Sequence, residues 1–298
     1  MKSEKKNVAL GSVIAAVFIT AFKLIIGLLT GSLGILSEAL HSGLDMVAAV
    51  ITFFSVRVSD KPADKEHNYG HGKVENLSAL FETILLLITC LWIISEAIHR
   101  LTSGRTEIEV SVWSYVVVIS SIFIDFTRSR ALSKVAKKHN SQALEADALH
   151  FSTDIWSSTV VLFGLIAYQF LGWVVADSIA ALLVACIVLY VSFQLGKKSI
   201  DVLLDKSPKD TTAVVMQILE SYPEIKYFHS LKARTAGADT FIKFNVHFNP
   251  ELSLSQVHEL CDRIESDIQL RIKRSEVYIH AEPDDLRHIA SESDADVF

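Results

Sequence analysis

Long apolar stretches dominate the first two thirds of the chain and are absent from the last third. Six stretches are long enough to cross the hydrocarbon core of a bilayer as helices, which takes about 20 residues each. They cover residues 8–29, 33–56, 77–98, 111–127, 144–171 and 177–196. The first follows a short basic segment without a small-residue cleavage site, so it reads as a retained membrane helix. The pattern predicts an all-α membrane bundle of six helices.

Basic residues are divided unequally between the two sides of this predicted bundle. The connections on the side of the N-terminus carry fourteen Lys and Arg residues, whereas the 99–110 connection on the other side carries Arg100 and Arg105. Cytoplasmic loops are enriched in Lys and Arg. We therefore expect a multi-pass protein of the cell (inner) membrane, with both termini in the cytoplasm.

From residue 208 the pattern becomes that of a small soluble domain. Helical apolar spacing over 210–221 and from 253 to about 270 alternates with strand-like segments at 227–234, 240–248 and 276–280. The order α-β-β-α-β predicts an α+β domain with helices on one face of a three-stranded sheet. The expected domains are therefore 1–207 and 208–285, followed by a polar acidic tail, 286–298.

The net charge and the positions of the cysteines argue against several classes of function. The net charge is −6, and there is no basic stripe with interleaved aromatic residues, so we expect no nucleic-acid partner. Cys90, Cys186 and Cys261 form no CxxC motif, which indicates neither a disulfide framework nor a cysteine metal site.

Two His-x-x-x-Asp pairs lie inside predicted membrane helices, His41 with Asp45 and His150 with Asp154. Residues four apart share one face of a helix and are about 6 Å apart along its axis. A single histidine in such a helix is often satisfied by a neighbouring helix. Four ionisable groups at membrane depth would each need separate compensation. Two imidazoles and two carboxylates turned toward each other suit one Zn²⁺ ion, so the pairs predict a metal transport site.

Imidazole also links metal to protons, because the two compete for the same ring nitrogens near neutral pH. The hypothesis is a secondary active transporter that exports metal from the cytoplasm in exchange for inward protons. A zinc hydrolase is disfavoured, since four protein ligands would leave no position for water and no HExxH motif is present. A non-transporting relative would have lost these ligands. Cd²⁺, Fe²⁺, Co²⁺ and Ni²⁺ also accept mixed nitrogen and oxygen ligands.

Two further groups of residues have the chemistry of metal ligands. Asp64, His67 and His71 lie in the connection after the second helix, where glycines at 70 and 72 let the backbone bend. The alternative is a solvated loop. The soluble domain offers a second group, for which scattered surface histidines are the alternative: His229, His247, His258, His280 and Glu282.

Other ionisable residues of the membrane segments are harder to assign. Glu38 and Asp147 each precede a tetrad histidine by three residues, so they are candidates for holding an imidazole N–H. For Asp147 a position lining a wet mouth is the preferred interpretation. Lys23, Glu82, Glu96 and Asp125 receive no role from the sequence.

Four segments together resemble the cation diffusion facilitator family over nearly the full chain. They are residues 38–45 (EALHSGLD) after Gly31-Ser32, 62–75 (PADKEHNYGHGKVE), 147–154 (DALHFSTD) and 177–185 (DSIAALLVA). The resemblance implies a homodimeric Zn²⁺/H⁺ antiporter with six membrane helices and a metallochaperone-like cytoplasmic domain.

The resemblance also implies a role for each group of ligands. The four residues of the two membrane pairs would form the transport site, and the loop residues a second site. The cytoplasmic histidines with Glu282 would form a binuclear site near the dimer interface, where the family pattern has Asp at the last position. Members with His and Asp on both helices typically carry zinc, and replacement of His by Asp accompanies a broader or a different metal preference.

Overall fold

Six long helices form the N-terminal part of the protein in a computed structural model, which describes residues 2–31, 33–103, 112–171 and 174–284. The Arg105 connection and the acidic tail lie outside these residues. The helices are α1 (Lys2–Thr30), α2 (Leu33–Ser59), α3 (Lys73–Ser103), α4 (Val112–His139), α5 (Gln142–Leu171) and α6 (Val174–Leu203). The predicted six-helix bundle is thereby confirmed.

Four of these helices, α1, α2, α3 and α6, are by length and composition apolar enough to cross a membrane within the described ranges. Helix α4 is equally long but ends in a basic segment, with Lys137, Lys138 and His139 in its last turn. Helix α5 carries Asp147 and Asp154 among apolar residues. Both helices bring buried charged residues into the bundle, Asp125 and Arg128 on α4 and Asp147 on α5.

Helix packing in the bundle is closest in two antiparallel pairs, α1 with α2 and α4 with α5. A buried apolar cluster that includes Ala9, Val56, Leu132, Leu144 and Phe151 joins all four helices. Each of these residues is at most 1% exposed. The cluster lies toward the end of the bundle where α1 begins, which we call the N-terminal end.

A buried cluster of charged side chains connects the helices at the same end. Lys5 Nζ lies 2.8 Å from both Asp60 Oδ1 and Glu75 Oε1. Glu75 also accepts hydrogen bonds from Ser59 Oγ at 2.7 Å and from Ser141 Oγ. Because Asp60 and Glu75 flank the connection between α2 and α3, helix α1 holds both ends of that connection.

The C-terminal unit, which begins at Asp201, is a separate α+β domain. Its elements are α7 (Lys209–Glu220), β1 (Tyr227–Ala236), β2 (Asp239–Phe248), α8 (Leu254–Arg271) and β3 (Ser275–Pro283). The sheet order is β1-β2-β3, with β1 antiparallel and β3 parallel to β2. The predicted element order is confirmed.

Alternating residues of the sheet and one face of each helix form the core of this domain. Ile242, Phe244 and Val246 of β2 pack with Leu219 of α7 and Ile264 of α8, all at most 2% exposed. Ser253 caps α8 in a capping box with Gln256. The core holds the three strands next to one another, and this packing determines where the histidines on the strands lie.

Candidate metal centres

The two His-x-x-x-Asp pairs of α2 and α5 meet inside the bundle and form a closed ring, the tetrad (His41, Asp45, His150 and Asp154). His150 Nε2 lies 2.9 Å from Asp45 Oδ1 on the other helix and 3.6 Å from Asp154 Oδ2 on its own. His41 Nε2 lies 3.8 Å from Asp154 Oδ1 across the helices and 3.9 Å from Asp45 Oδ1. Each imidazole therefore contacts one carboxylate of each helix.

Burial and donor chemistry make the tetrad suitable for a divalent cation. His150 and Asp45 are 4% and 8% exposed, and His41 and Asp154 are partly buried. One ligand atom each from His41, Asp45 and Asp154 lies within 4.8 Å of the others. Two nitrogen and two oxygen donors with a charge of −2 match the tetrahedral coordination and charge of Zn²⁺.

A cavity of about 50 Å³ adjoins His41 and Asp154. It is lined beyond them by residues of α3, α5 and α6, among them Thr89, Ser157 and Val184. The tetrad therefore borders a cavity between α3, α5 and α6.

Lys23 of α1 contacts the segment of α2 that carries His41. The sequence alone assigned this lysine no role. Its Nζ, on a residue 4% exposed, donates to Ser42 Oγ at 2.8 Å and to Glu38 Oε2 at 3.2 Å. Thr20 Oγ1 donates to the Ser42 carbonyl at 2.9 Å. Ser42 follows His41 directly, so these bonds tie the tetrad segment of α2 to α1. Glu38 binds this lysine, which the sequence did not predict.

The interpretation of Asp147 as the lining of a wet mouth is wrong. Asp147 is 0% exposed, and its Oδ2 accepts a hydrogen bond from Ser12 Oγ at 3.2 Å. Arg128 Nη2 donates to the same Ser12 Oγ at 3.0 Å, and Arg128 Nη1 to Asp125 Oδ1 at 3.4 Å. The packing of α1 and α4 over α5 removes Asp147 from water, which the α5 sequence alone does not show.

Asp64, His67 and His71 come together in the connection between α2 and α3. His67 Nδ1 lies 3.4 Å from Asp64 Oδ1, and His71 Nε2 lies 3.5 Å from Asp64 Oδ2. The backbone N–H groups of His67 and Glu66 donate to Asp64 Oδ1 at 2.7 and 3.0 Å. The His67 N–H chiefly holds the pKa of Asp64 below its usual value, so this carboxylate stays charged and available to a cation.

Gly70 gives this loop its shape. Its φ of +74° lies in the left-handed region, and its N–H donates to the His67 carbonyl at 2.9 Å. The turn brings the His67 and His71 ring centroids to 4.5 Å. Asp64 and His67 remain exposed, whereas His71 is partly buried.

The third group lies at one end of the sheet of the C-terminal domain and is centred on Glu282. His247 of β2 pairs in register with Glu282 of β3, and His247 Nε2 lies 3.3 Å from Glu282 Oε2. His229 of β1 reaches the same oxygen at 3.7 Å, and His280 Nε2 lies 3.4 Å from Glu282 Oε1. Glu282 Oε2 has no hydrogen-bond donor among the described residues.

His258 lies apart from this group within one chain. Its side chain, on α8, is 74% exposed and sits 3.7 Å from Asp262. His229, His247 and Glu282 each offer a ligand atom within 4.8 Å of the others, and His229 and His247 are buried. These three fit a metal ion, with His280 at the rim, and the assignment of His258 stays a prediction.

Comparison with known families agrees with this division of the chain. Residues 9–204 match the model of the cation efflux transmembrane domain, and residues 207–284 match that of the cation efflux protein cytoplasmic domain. A solved metal-bound C-terminal domain of the CzcD transporter from Thermotoga maritima is 26% identical. It covers 26% of this chain and 92% of its own, at a TM-score of 0.25.

Two curated relatives match over most of their length. The cation-efflux pump FieF of Shewanella oneidensis is 31% identical over 276 residues, covering 91% of this chain and 92% of its own. An uncharacterised transporter of Synechocystis is 33% identical over 257 residues, covering 86% of this chain and 83% of its own. With both domains matched, the chain belongs to the cation diffusion facilitators, a family of integral membrane cation efflux transporters.

Proposed function

We propose that this protein exchanges cytoplasmic Zn²⁺ for external protons and that the tetrad is its transport site. The observation that supports the proposal most is the ring in which each imidazole of the tetrad faces a carboxylate of each helix. The ring offers four ligands from two helices to one ion, so a relative movement of α2 and α5 changes all the bonds to that ion together. Zn²⁺ is preferred because it takes four mixed nitrogen and oxygen ligands without geometric preference of its own.

The tetrad chemistry also supports exchange for protons. An empty tetrad has two buried carboxylates whose charge needs compensation, and protonated imidazoles supply it. A Zn²⁺ ion needs both imidazoles neutral, so metal binding releases protons. The residues therefore alternate between a protonated and a metal-bound state, each close to neutral in charge.

The proposal assigns different tasks to the remaining ligand groups. The loop group of Asp64, His67 and His71 would collect metal at the cytoplasmic surface, which is the side that the positive-inside rule predicts for this loop. In the cytoplasmic domain, His229, His247 and Glu282 would hold a resident metal. The match to the cytoplasmic domain model indicates dimerisation through this part, and we propose that the dimer is a homodimer.

Zinc uptake by proteoliposomes across a pH gradient tests this function. Purified wild-type protein should move Zn²⁺ and an opposite flow of protons. Asp154→Ala should lower zinc flux at least about 100-fold, because it removes a ligand and leaves two imidazoles facing one carboxylate. Flux is measured with a zinc indicator and proton flow with a pH indicator in the same vesicles.

The matched control is Glu145→Gln, an acid-to-amide change on the surface of the same helix. Glu145 is half-buried and pairs with Lys198 at 2.6 Å, so its loss should leave flux unchanged. Undiminished zinc flux in Asp154→Ala would refute the transport site, and zinc flux without proton flow in the wild type would refute the exchange.

A further inference from the structure

His41 is held less firmly than His150, the other histidine of the tetrad. His41 Nε2 lies 3.8 Å from Asp154 Oδ1 and 3.9 Å from Asp45 Oδ1, and both distances are too long for a hydrogen bond. His150 Nε2 is within hydrogen-bond distance of Asp45 at 2.9 Å. The side chain of His41 is 24% exposed and borders the cavity, whereas that of His150 is 5% exposed. The position of the His41 ring therefore depends on where the α2 backbone holds it.

Two side chains of α1 hold that backbone at the next residue, Ser42. Thr20 Oγ1 donates to the Ser42 carbonyl at 2.9 Å, and Lys23 Nζ donates to Ser42 Oγ at 2.8 Å. Thr20 and Lys23 are three residues apart, so they share one face of α1. One step along a helix turns by about 100°, so Ser42 faces α1 while His41 faces Asp154 of α5. The two bonds therefore fix how α2 is rotated about its axis where it carries His41.

Lys23 is a costly residue for this contact, because it is buried in the bundle. The residue is 4% exposed, and its second acceptor is Glu38 Oε2 at 3.2 Å, one turn before Ser42 on α2. Burial of an ammonium group is unfavourable unless its N–H groups are hydrogen-bonded. Separation of α1 from α2 would leave the Lys23 charge in the interior without these acceptors. The lysine therefore makes the link to Ser42 harder to break than a contact between two hydroxyl groups would be.

We propose that Lys23 is a positioning residue of the transport site, which acts through Ser42 to hold His41 in the place where it binds Zn²⁺. Lys23 does not itself bind the metal. The inference rests on the proposed function and adds to it a residue outside the four ligands. Groups that orient a metal ligand change metal affinity by about 10- to 100-fold when they are removed. Lys23 reaches His41 through the backbone and not through the ring, so we expect an effect of about tenfold.

Lys23→Met tests the proposal in the full-length protein, because methionine keeps an unbranched side chain and removes the charge and the donor. Zinc uptake by proteoliposomes across a fixed pH gradient gives KM and kcat. We expect KM for Zn²⁺ to rise about tenfold and kcat to stay within about twofold of the wild type, because ion binding is weakened while all four ligands remain. A residue that only stabilises the bundle would give the opposite split, a lower kcat from fewer folded molecules and an unchanged KM.

Two variants of α1 serve as controls. Lys23→Arg keeps a charged donor at the same position, and it should bring KM back to within about threefold of the wild type, since the longer guanidinium does not reproduce the lysine geometry in full. Lys6→Met makes the same lysine-to-methionine change near the start of the same helix and should leave KM unchanged.

A double variant shows whether Lys23 acts through His41. In a His41→Asn background the imidazole is absent, so adding Lys23→Met should raise KM for the residual zinc flux by less than about twofold. A full tenfold rise in this background would show that Lys23 affects the site by another route, and the inference would be wrong.

Ser42→Ala gives an independent result, because it removes the acceptor and leaves Lys23 in place. It should raise KM for Zn²⁺ about three- to tenfold, and it decides the question if Lys23→Met does not fold. An unchanged KM in Ser42→Ala, or in a folded Lys23→Met, overturns the inference, while loss of flux in Asp154→Ala would still support the transport site. Undiminished flux in Asp154→Ala would refute the transport site and the role of Lys23 together.

Discussion

The four tetrad residues form an alternating ring of imidazole and carboxylate groups. The shortest contact in this ring, 2.9 Å, joins His150 of α5 to Asp45 of α2, so the two helices are held together by the groups that would bind metal. A cation that enters the ring takes the place of these contacts. The choice of cation therefore depends on the donor atoms at the four positions.

His41→Asp tests how the imidazole of His41 sets metal preference. The change replaces a nitrogen donor with oxygen and raises the negative charge of the site, which favours harder ions such as Fe²⁺ over Zn²⁺. We expect the ratio of kcat/KM for Zn²⁺ to that for Fe²⁺ to fall about tenfold. Metal-by-metal uptake into proteoliposomes across a fixed pH gradient measures the ratio.

His41→Asn separates the donor atom from the charge. It removes the imidazole without adding a carboxylate, so transport of both metals should fall together and the ratio should stay near that of the wild type. A ratio in His41→Asp equal to the wild-type value would show that His41 does not determine metal preference.

Which residues share one helix face can be predicted from sequence, because i and i+4 positions are fixed by helix geometry. Each pair of the tetrad was found in this way. The 2.8 Å contact of Lys23 with Ser42 and the burial of Asp147 by α1 and α4 depend on packing between helices. Periodicity within one helix carries no information on these partners, so Lys23 and Glu82 had no assignable role.

Among the elements, α1 and α2 approach each other closely at Gly27. A Cβ built on Gly27 would lie 2.9 Å from Leu36 Cδ2 and 3.2 Å from the Leu36 backbone nitrogen. The side chain of Leu36 can move, but its backbone belongs to α2. The absence of a side chain at Gly27 therefore lets α2 begin against α1.

Gly27→Ala should destabilise the bundle by about 1–3 kcal/mol, the usual cost of overpacking. Gly11→Ala on the same helix is the matched control, because a Cβ there meets nothing within 4 Å. It should be neutral or stabilising by about 0.5–1 kcal/mol, since alanine favours helix more than glycine does. Thermal unfolding of the purified protein in detergent compares the two, and equal melting temperatures would contradict the close approach.

The elements of the cytoplasmic domain were easier to predict than the membrane packing. The alternation over 240–248 gave β2, observed at Asp239–Phe248, because a half-buried strand has period two. The pairing of the strands in the sheet was harder to predict from the sequence. The parallel pairing of β2 with β3 brings His247 beside Glu282, and these residues are 35 positions apart in sequence.

At the scale of the whole molecule, metal-ligand chemistry occurs in both units of the chain. The tetrad and the loop group belong to the membrane unit, and the group around Glu282 belongs to the cytoplasmic domain. The groups share no residue. Effects of substitutions in one unit should therefore be largely independent of the other.

Glu282→Ala tests this independence and the cytoplasmic site together. Glu282 is the carboxylate that three histidines approach within 3.7 Å, so its loss removes the common ligand of the group. We expect the zinc content per chain, measured by elemental analysis after dialysis, to fall by about one ion. Zinc flux through the tetrad should stay within about twofold of the wild type, because the two sites share no ligand. His258→Ala, at an exposed residue outside the group, should leave the zinc content unchanged. If Glu282→Ala keeps the wild-type zinc content, the strand ends of the cytoplasmic domain are not a metal site. A loss of flux as large as that in Asp154→Ala would instead show that transport depends on the cytoplasmic metal.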